Sequence, residues 1–229
     1  EVLFSQREGT IKKFIKRLYL LRRAYKYFDV VHYNFGQSLL PLRERRTDAA
    51  GSGTSGVKRM ILDVYNRYIA FYDVKSLKRL GKVIAVTYQG DDARQGDYCR
   101  ANFEITHAKE VGENYYTKAG DDIKRMGIAM FSRYADLIYA LNPDLLYVLP
   151  ERARLMPYAH INMDEWFVAD QKISGKLVVC HAPTHRQVKG TKYILDAVSR
   201  LQREGLDFEF TLIEGMSNED AKKAYEKAD

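Results

Sequence analysis

The chain has 229 residues, 46% of them hydrophobic and 29% charged, which supports a globular core and argues against a disordered polypeptide. No apolar run approaches the roughly 20 residues needed to cross a bilayer, and residues 1–9 lack the apolar stretch of a secretion signal. The net charge of +7 is local: residues 7–26 hold eight basic side chains and one acidic one, Glu8, while the remainder is balanced.

Within that basic stretch, Ile11, Phe14, Ile15, Leu18, Leu21, Tyr25 and Phe28 recur at helical spacing. Lys12, Lys13, Lys16, Arg17, Arg22, Arg23 and Lys26 fill the other faces, so an amphipathic helix with a basic surface is expected. A packed helix with a solvated basic face is one reading. Attraction to anionic lipid head groups is the other, at about 1 kcal/mol per basic residue near the surface. Nucleic acid is not expected as a partner, because no nucleic-acid-binding motif accompanies the charge.

Residues 29–33 read as a strand, and residues 34–37 as the turn after it. Residues 49–56 (AAGSGTSG) read as a mobile loop. Residues 57–80 are expected to form one long helix, with Ile61, Val64, Tyr65, Tyr68 and Tyr72 along one side and Gly81 at its end. A buried strand follows at 82–88. Residues 95–119 have no firm period and are expected to be mostly irregular. Asp121 or Asp122 is the expected cap of a helix running to about Tyr134. Residues 136–141 read as a third strand, and Pro143 opens a helical turn. Residues 154–171 read as a crossing between domains. Beyond it the pattern restarts: strand at 176–181, helix at 191–204 ending on Gly205, strand at 208–213, and a helix from Ser217 opened by a Ser217–Asp220 capping box.

Strands alternating with helices predict an α/β fold with parallel sheets covered on both faces. The restart predicts two such units, residues 1–165 and residues 166–229. Cys99 and Cys180 lie far apart without metal-like spacing and read as free thiols in a reducing cytosol.

In open parallel sheets, ligands bind beyond the carboxyl ends of the strands. That rule selects residues 34–37, 89–94, 182–190 and 214–216. The third loop ends where a helix begins, and helix N-termini offer N–H groups and partial positive charge to anions. Gly190 lets a ligand approach the backbone, and Arg186 and Lys189 add two charges: a diphosphate cradle, or an ordinary solvent-facing loop. His181 and His185 do not read as metal ligands, because Pro183 between them breaks any helix that would align them. Asp91 and Asp92 are suited to sugar hydroxyls through charge-assisted hydrogen bonds, or to capping the backbone and pairing with Arg94. His32, inside a strand, reads as a satisfied buried histidine. No compact G-x-G-x-x-G follows a strand, which argues against a dinucleotide dehydrogenase.

HAPTHRQVKGTKYILDAV, from His181, and LIEGMSNEDAKKAYEKAD, from Leu212, resemble the donor-binding domain of the family 4-like (group 1) glycosyltransferases. FDVVHYNFGQSLL, from Phe28, and VIAVTYQGDDARQGDYCR, from Val83, resemble two strand–loop units of the acceptor-side domain. LMPYAHINMDEWF resembles the passage between domains. The resemblance implies a GT-B fold of two Rossmann-like domains and transfer from a nucleotide-sugar donor with retention, without metal or other cofactor. It implies Arg186 and Lys189 as the catalytic cations holding the donor diphosphate, with His185, Gly190, Thr191 and Glu214 beside them. Asn34, Gly36, Gln89, Gly90, Asp91, Asp92 and Arg94 fall on the acceptor and sugar side. The implied setting is cytoplasmic cell-surface polysaccharide synthesis on a glycan or lipid-linked acceptor, with the basic helix at the inner membrane leaflet. The resemblance departs at Gln89, where many relatives carry a histidine that contacts the donor sugar. The family's first strand would precede Glu1 and its acidic donor motif would follow Asp229, so the chain is expected to be incomplete and inactive alone.

Overall fold

A computed structural model of the chain describes residues 9–44, 56–157, 162–166 and 175–229. The small-residue loop at 49–56, apart from Gly56, and half of the crossing at 154–171 lie outside the described residues. The chain divides into two compact units, residues 1–99 with 116–158 and residues 100–115 with 159–229.

The first unit is built on a four-stranded parallel sheet ordered β1 (Val30–Asn34), β2 (Val83–Tyr88), β3 (Leu137–Ala140) and β4 (Arg154–Leu155). Every residue of β2 after Val83 is buried, as expected of an inner parallel strand covered on both faces. Helices α1 (Thr10–Tyr27), α3 (Tyr72–Arg79) and α5 (Lys118–Tyr134) contribute Leu21 and Ala24, Val74 and Leu77, and Ile128 and Phe131 to one core. Phe131 is its centre: fully buried, it meets the rings of Phe71, Tyr33 and Tyr88 at 5.1, 5.4 and 6.4 Å in tilted or edge contacts.

The long helix expected over 57–80 is broken. Helix α2 (Gly56–Val64) passes into one π-helical turn (Tyr65–Ile69), closed by the Ala70 N–H on the Tyr65 carbonyl. Phe71 then takes a left-handed conformation, φ 59°, and its N–H bonds the Leu40 carbonyl. That backbone costs a non-glycine residue about 1–2 kcal/mol, and burying a phenylalanine ring returns about 1.5–3 kcal/mol. The break also shifts the helical phase. Ile61, Val64, Tyr68 and Tyr72 are exposed, and Ala70, Phe71, Val74 and Leu77 form the inner face instead. Gly81, at φ 74°, ends α3 as expected, with the Gly81 and Lys82 N–H groups turned back onto the Lys78 and Leu77 carbonyls.

Two further expectations are corrected here. Helix α5 is capped by Thr117, whose Oγ1 accepts from the Gly120 N–H, not by either aspartate. Asp121 is instead buried and accepts from the Asp97 N–H of α4 (Gly96–Asn102), a helix inside the stretch expected to be irregular. His32 bonds Thr87 Oγ1 at 2.7 Å, but its side chain is exposed rather than buried.

In the second unit, β5 (Leu177–His181) and β6 (Phe208–Leu212) pair in parallel, flanked in sequence by α6 (Thr191–Arg203) and α7 (Asn218–Tyr225). Gly205, φ 90°, ends α6, and Ser217 caps α7 by accepting from the Asp220 N–H, both as expected. Among the described residues, no helix is long and apolar enough to cross a membrane.

Candidate functional site

In the second unit the loop after β5 closes on itself before α6 opens. Turn hydrogen bonds run from the Lys189 N–H to the His185 carbonyl and from the Thr191 N–H to the Arg186 carbonyl. Gly190 at the helix start has φ 64° and ψ 27°, a left-handed conformation in which glycine carries no side-chain penalty. Thr191 turns inward, 1% exposed, and bonds the ring of His181 at 2.9 Å, so it locks the loop to the strand. His185 accepts from the Val188 N–H and stacks edge-on against Tyr115.

Arg186 is gripped by Glu214 from the loop after β6. Nε donates to both carboxylate oxygens, at 2.9 and 3.1 Å, and a terminal nitrogen donates to Oε2 at 2.6 Å. The arginine holds the Glu214 carboxyl below its usual range. Two residues expected to face one ligand therefore meet, but as partners of each other. Lys189 stays exposed on the same loop. A shallow hollow of about 260 Å³ beside the helix start is lined by Arg186, Gln187, Thr191, Lys192, Leu195 and Asp196.

In the first unit the loops after β1 and β2 meet. The Asn34 side-chain oxygen accepts from the Phe35 N–H and, at 2.7 Å, from Gln89 Nε2. Asp92 is the loop's cap: its carboxylate takes the Gln89 and Gly90 N–H groups at 2.6–3.1 Å. Burial pushes its carboxyl above the usual range, although those N–H groups favour the charged form. Asp91 accepts from the Tyr116 hydroxyl at 2.5 Å and lies 3.7 Å from Arg94. Arg94 is not held open for a ligand. It makes a two-pronged pair with Asp144, at 2.6 and 3.1 Å, and is largely covered.

Over these loops opens a cavity of about 360 Å³, bounded by residues 35–38, by Asp91 and Asp92, and by one face of α5. Gly36, Asp91 and Asp92 were expected at a site. Ser38, Phe71, Tyr88, Lys124 and Ile128, which also line it, were not. Only Tyr88, a polar tip at the carboxyl end of a buried strand, carried a sequence signal. The α5 residues sit far off in the chain and reach the cavity through packing alone. Lys124 lies 4.5 Å above the Tyr116 ring, and its ammonium donates to the Arg94 carbonyl at 2.6 Å. Burial lowers its pKa.

Among the described residues, no group of three or more His, Cys, Asp or Glu side chains is placed to hold a metal ion. Cys99 is buried, Cys180 is half-buried, and both are free thiols. The architecture defines an α/β protein with Rossmann-like parallel sheets and polar loops at the carboxyl ends of its strands. No protein-family model matches the chain, and no curated protein is significantly similar to it.

Proposed function

We propose that the chain belongs to a glycosyltransferase of GT-B type, moving a sugar from a nucleotide-sugar donor to a glycan or lipid-linked acceptor with retention, in cell-surface polysaccharide synthesis. The observation that carries this reading is the turn from β5 into α6: a left-handed Gly190 at a helix start, flanked by Arg186 and the exposed Lys189. A diphosphate there meets the positive end of a helix and two cations. As the donor bond breaks, those cations stabilise the leaving diphosphate, with no metal required by the reading. Arg186 must exchange Glu214 for the phosphate, and Glu214 then becomes available to a donor hydroxyl. The acceptor side falls on the loops carrying Asn34, Gly36, Gln89, Gly90, Asp91 and Asp92, with Arg94 bracing them through Asp144.

Helix α1 carries the membrane part of the reading. Ile11, Ile15, Leu18 and Tyr19 are exposed on it, interleaved with Lys12, Lys13, Lys16, Arg17, Arg22 and Arg23. Basic side chains around exposed apolar ones suit the anionic cytoplasmic leaflet.

One observation favours a second reading, a non-catalytic module. Arg186 already has a full carboxylate partner, which neutralises half of the cradle. Calorimetric titration with nucleoside diphosphates separates the two. The transferase reading expects binding that falls by about 1.5–3 kcal/mol on Arg186→Ala or Lys189→Ala, the worth of a charged hydrogen bond. Absence of binding, or binding untouched by both substitutions, favours the module.

A further inference from the structure

Helix α2 and the π-helical turn after it carry an apolar stripe that the first unit does not cover. Their inner side is tied down. The Tyr65 hydroxyl donates to the Pro41 carbonyl at 3.0 Å, and the Asn66 side chain bonds both the Arg43 N–H and the Arg43 carbonyl at 2.9 Å. The outer side holds Val57, Met60, Ile61, Val64 and Tyr68 at helical spacing, each 49–64% exposed. No residue of α2 is buried. A helix of nine residues is marginal in water by itself, because most helical stability in proteins comes from packing an apolar face. An exposed stripe of this kind marks an interaction surface.

We propose that this face is a second membrane-docking surface, lying on anionic phospholipid with its apolar stripe sunk into the head-group boundary. The proposal deepens the membrane part of the transferase reading, which rests on α1, and it requires no sugar transfer.

Charge selects the bilayer over a second copy of the chain. Residues 56–69 carry Lys58, Arg59 and Arg67 against one carboxylate, Asp63. All three cations are exposed, and the Arg67 guanidinium lies 5.5 Å from the Tyr68 ring, at the border of the stripe. A two-fold pairing of this face with itself sets the same cations against one another. Anionic head groups neutralise them instead, while the stems of long basic side chains lie along apolar surface and the charged ends reach the lipid phosphates.

The test is co-sedimentation of the full chain with vesicles of equal parts phosphatidylcholine and phosphatidylglycerol, and with vesicles of phosphatidylcholine alone. The chain should bind the first and not the second. Met60→Glu and Ile61→Glu should each weaken binding about 10-fold by removing an apolar side chain from the boundary. Lys58→Ala and Arg67→Ala should each weaken it about 5-fold. All four variants should melt with the wild type, because the positions are exposed. A Met60→Trp variant reports the contact itself: brominated phospholipid should quench its fluorescence beyond any change at Trp166, the single tryptophan of the chain. The proposal is overturned if the wild type binds neither vesicle, if phosphatidylcholine alone binds as well, if the α2 substitutions leave binding unchanged, or if the introduced tryptophan is not quenched. It is equally overturned if a variant melts well below wild type, which shows the face already covered, or if light scattering finds a wild-type dimer that Met60→Glu splits. Ile11→Glu with Ile15→Glu reports on α1 separately: binding lost there but kept in the α2 variants sinks this inference and leaves the role of α1 standing, and the reverse sinks the role of α1 alone.

Discussion

Replacing Gly36 by alanine should destabilise the first unit through two separable effects. The backbone at Gly36 has φ 54°, and a side chain in that left-handed region costs about 1–2 kcal/mol. The added Cβ would also lie 2.5 and 2.7 Å from two ring carbons of Tyr88 and 3.2 Å from Asp92 Oδ2. Neither neighbour gives way easily: Tyr88 is 1% exposed and meets Phe131 edge-on, and the Asp92 carboxylate is held by two backbone N–H groups. Overpacking of this kind costs about 1–3 kcal/mol. Together the loss is about 2–5 kcal/mol, a large part of the 5–15 kcal/mol that holds a typical domain. Gly81→Ala is the control, with φ 74° and nothing within 4 Å of the new Cβ, so only the backbone cost remains. Urea unfolding followed by circular dichroism measures both variants. Equal losses for the two, or a Gly36→Ala loss below about 1 kcal/mol, would refute the packing argument.

Thr117→Ala should cost about 1 kcal/mol in thermal unfolding through loss of the α5 cap. Asp122→Ala, which removes only surface pairs with Lys118 and Arg125, should cost less, and the reverse order would restore an aspartate cap. Gly127→Ala should raise stability by about 0.5–1 kcal/mol, since the glycine sits mid-helix and its Cβ would meet Phe71 at an ordinary 3.9 Å. Asp73→Asn tests a buried charge. Burial raises the Asp73 carboxyl above its usual range, against the opposing hydrogen bonds from Leu39 and Tyr33. A raised folded-state pKa contributes stability at low pH that is lost as pH climbs through it. The stability of Asp73→Asn relative to wild type should therefore improve as pH rises from near 4, the unfolded carboxyl's value of about 3.9; a difference that stays flat from pH 4 upward would show that the carboxylate's burial is fully compensated.

Local signals in the chain were enough to locate the strands and the ends of several helices. Residues 29–33 and 82–88 are apolar and β-branched, and the strands fall within one residue of them. Gly81, Gly205 and the Ser217–Asp220 pair mark helix ends through backbone freedom and short-range hydrogen bonds, which depend only on neighbours in sequence. The same locality placed Gly190 at the start of α6 and Asp92 beside the N–H groups it caps.

What tertiary structure decided depends on partners distant in the chain. The period over 57–80 reads as one helix, yet Phe71 gains more by turning into the pocket formed with Phe131 than the helix loses by breaking. Arg94 offered itself in sequence to Asp91 and Asp92, and Arg186 to a ligand, but the fold brings Asp144 and Glu214 against them from 50 and 28 residues away. The cavity lined by Ser38, Phe71, Tyr88 and Lys124 has no counterpart in sequence spacing, because its walls come from four segments that only packing brings together. A sequence records which residues can cap, turn or pair, but the choice among possible partners is made by burial, which no local pattern encodes.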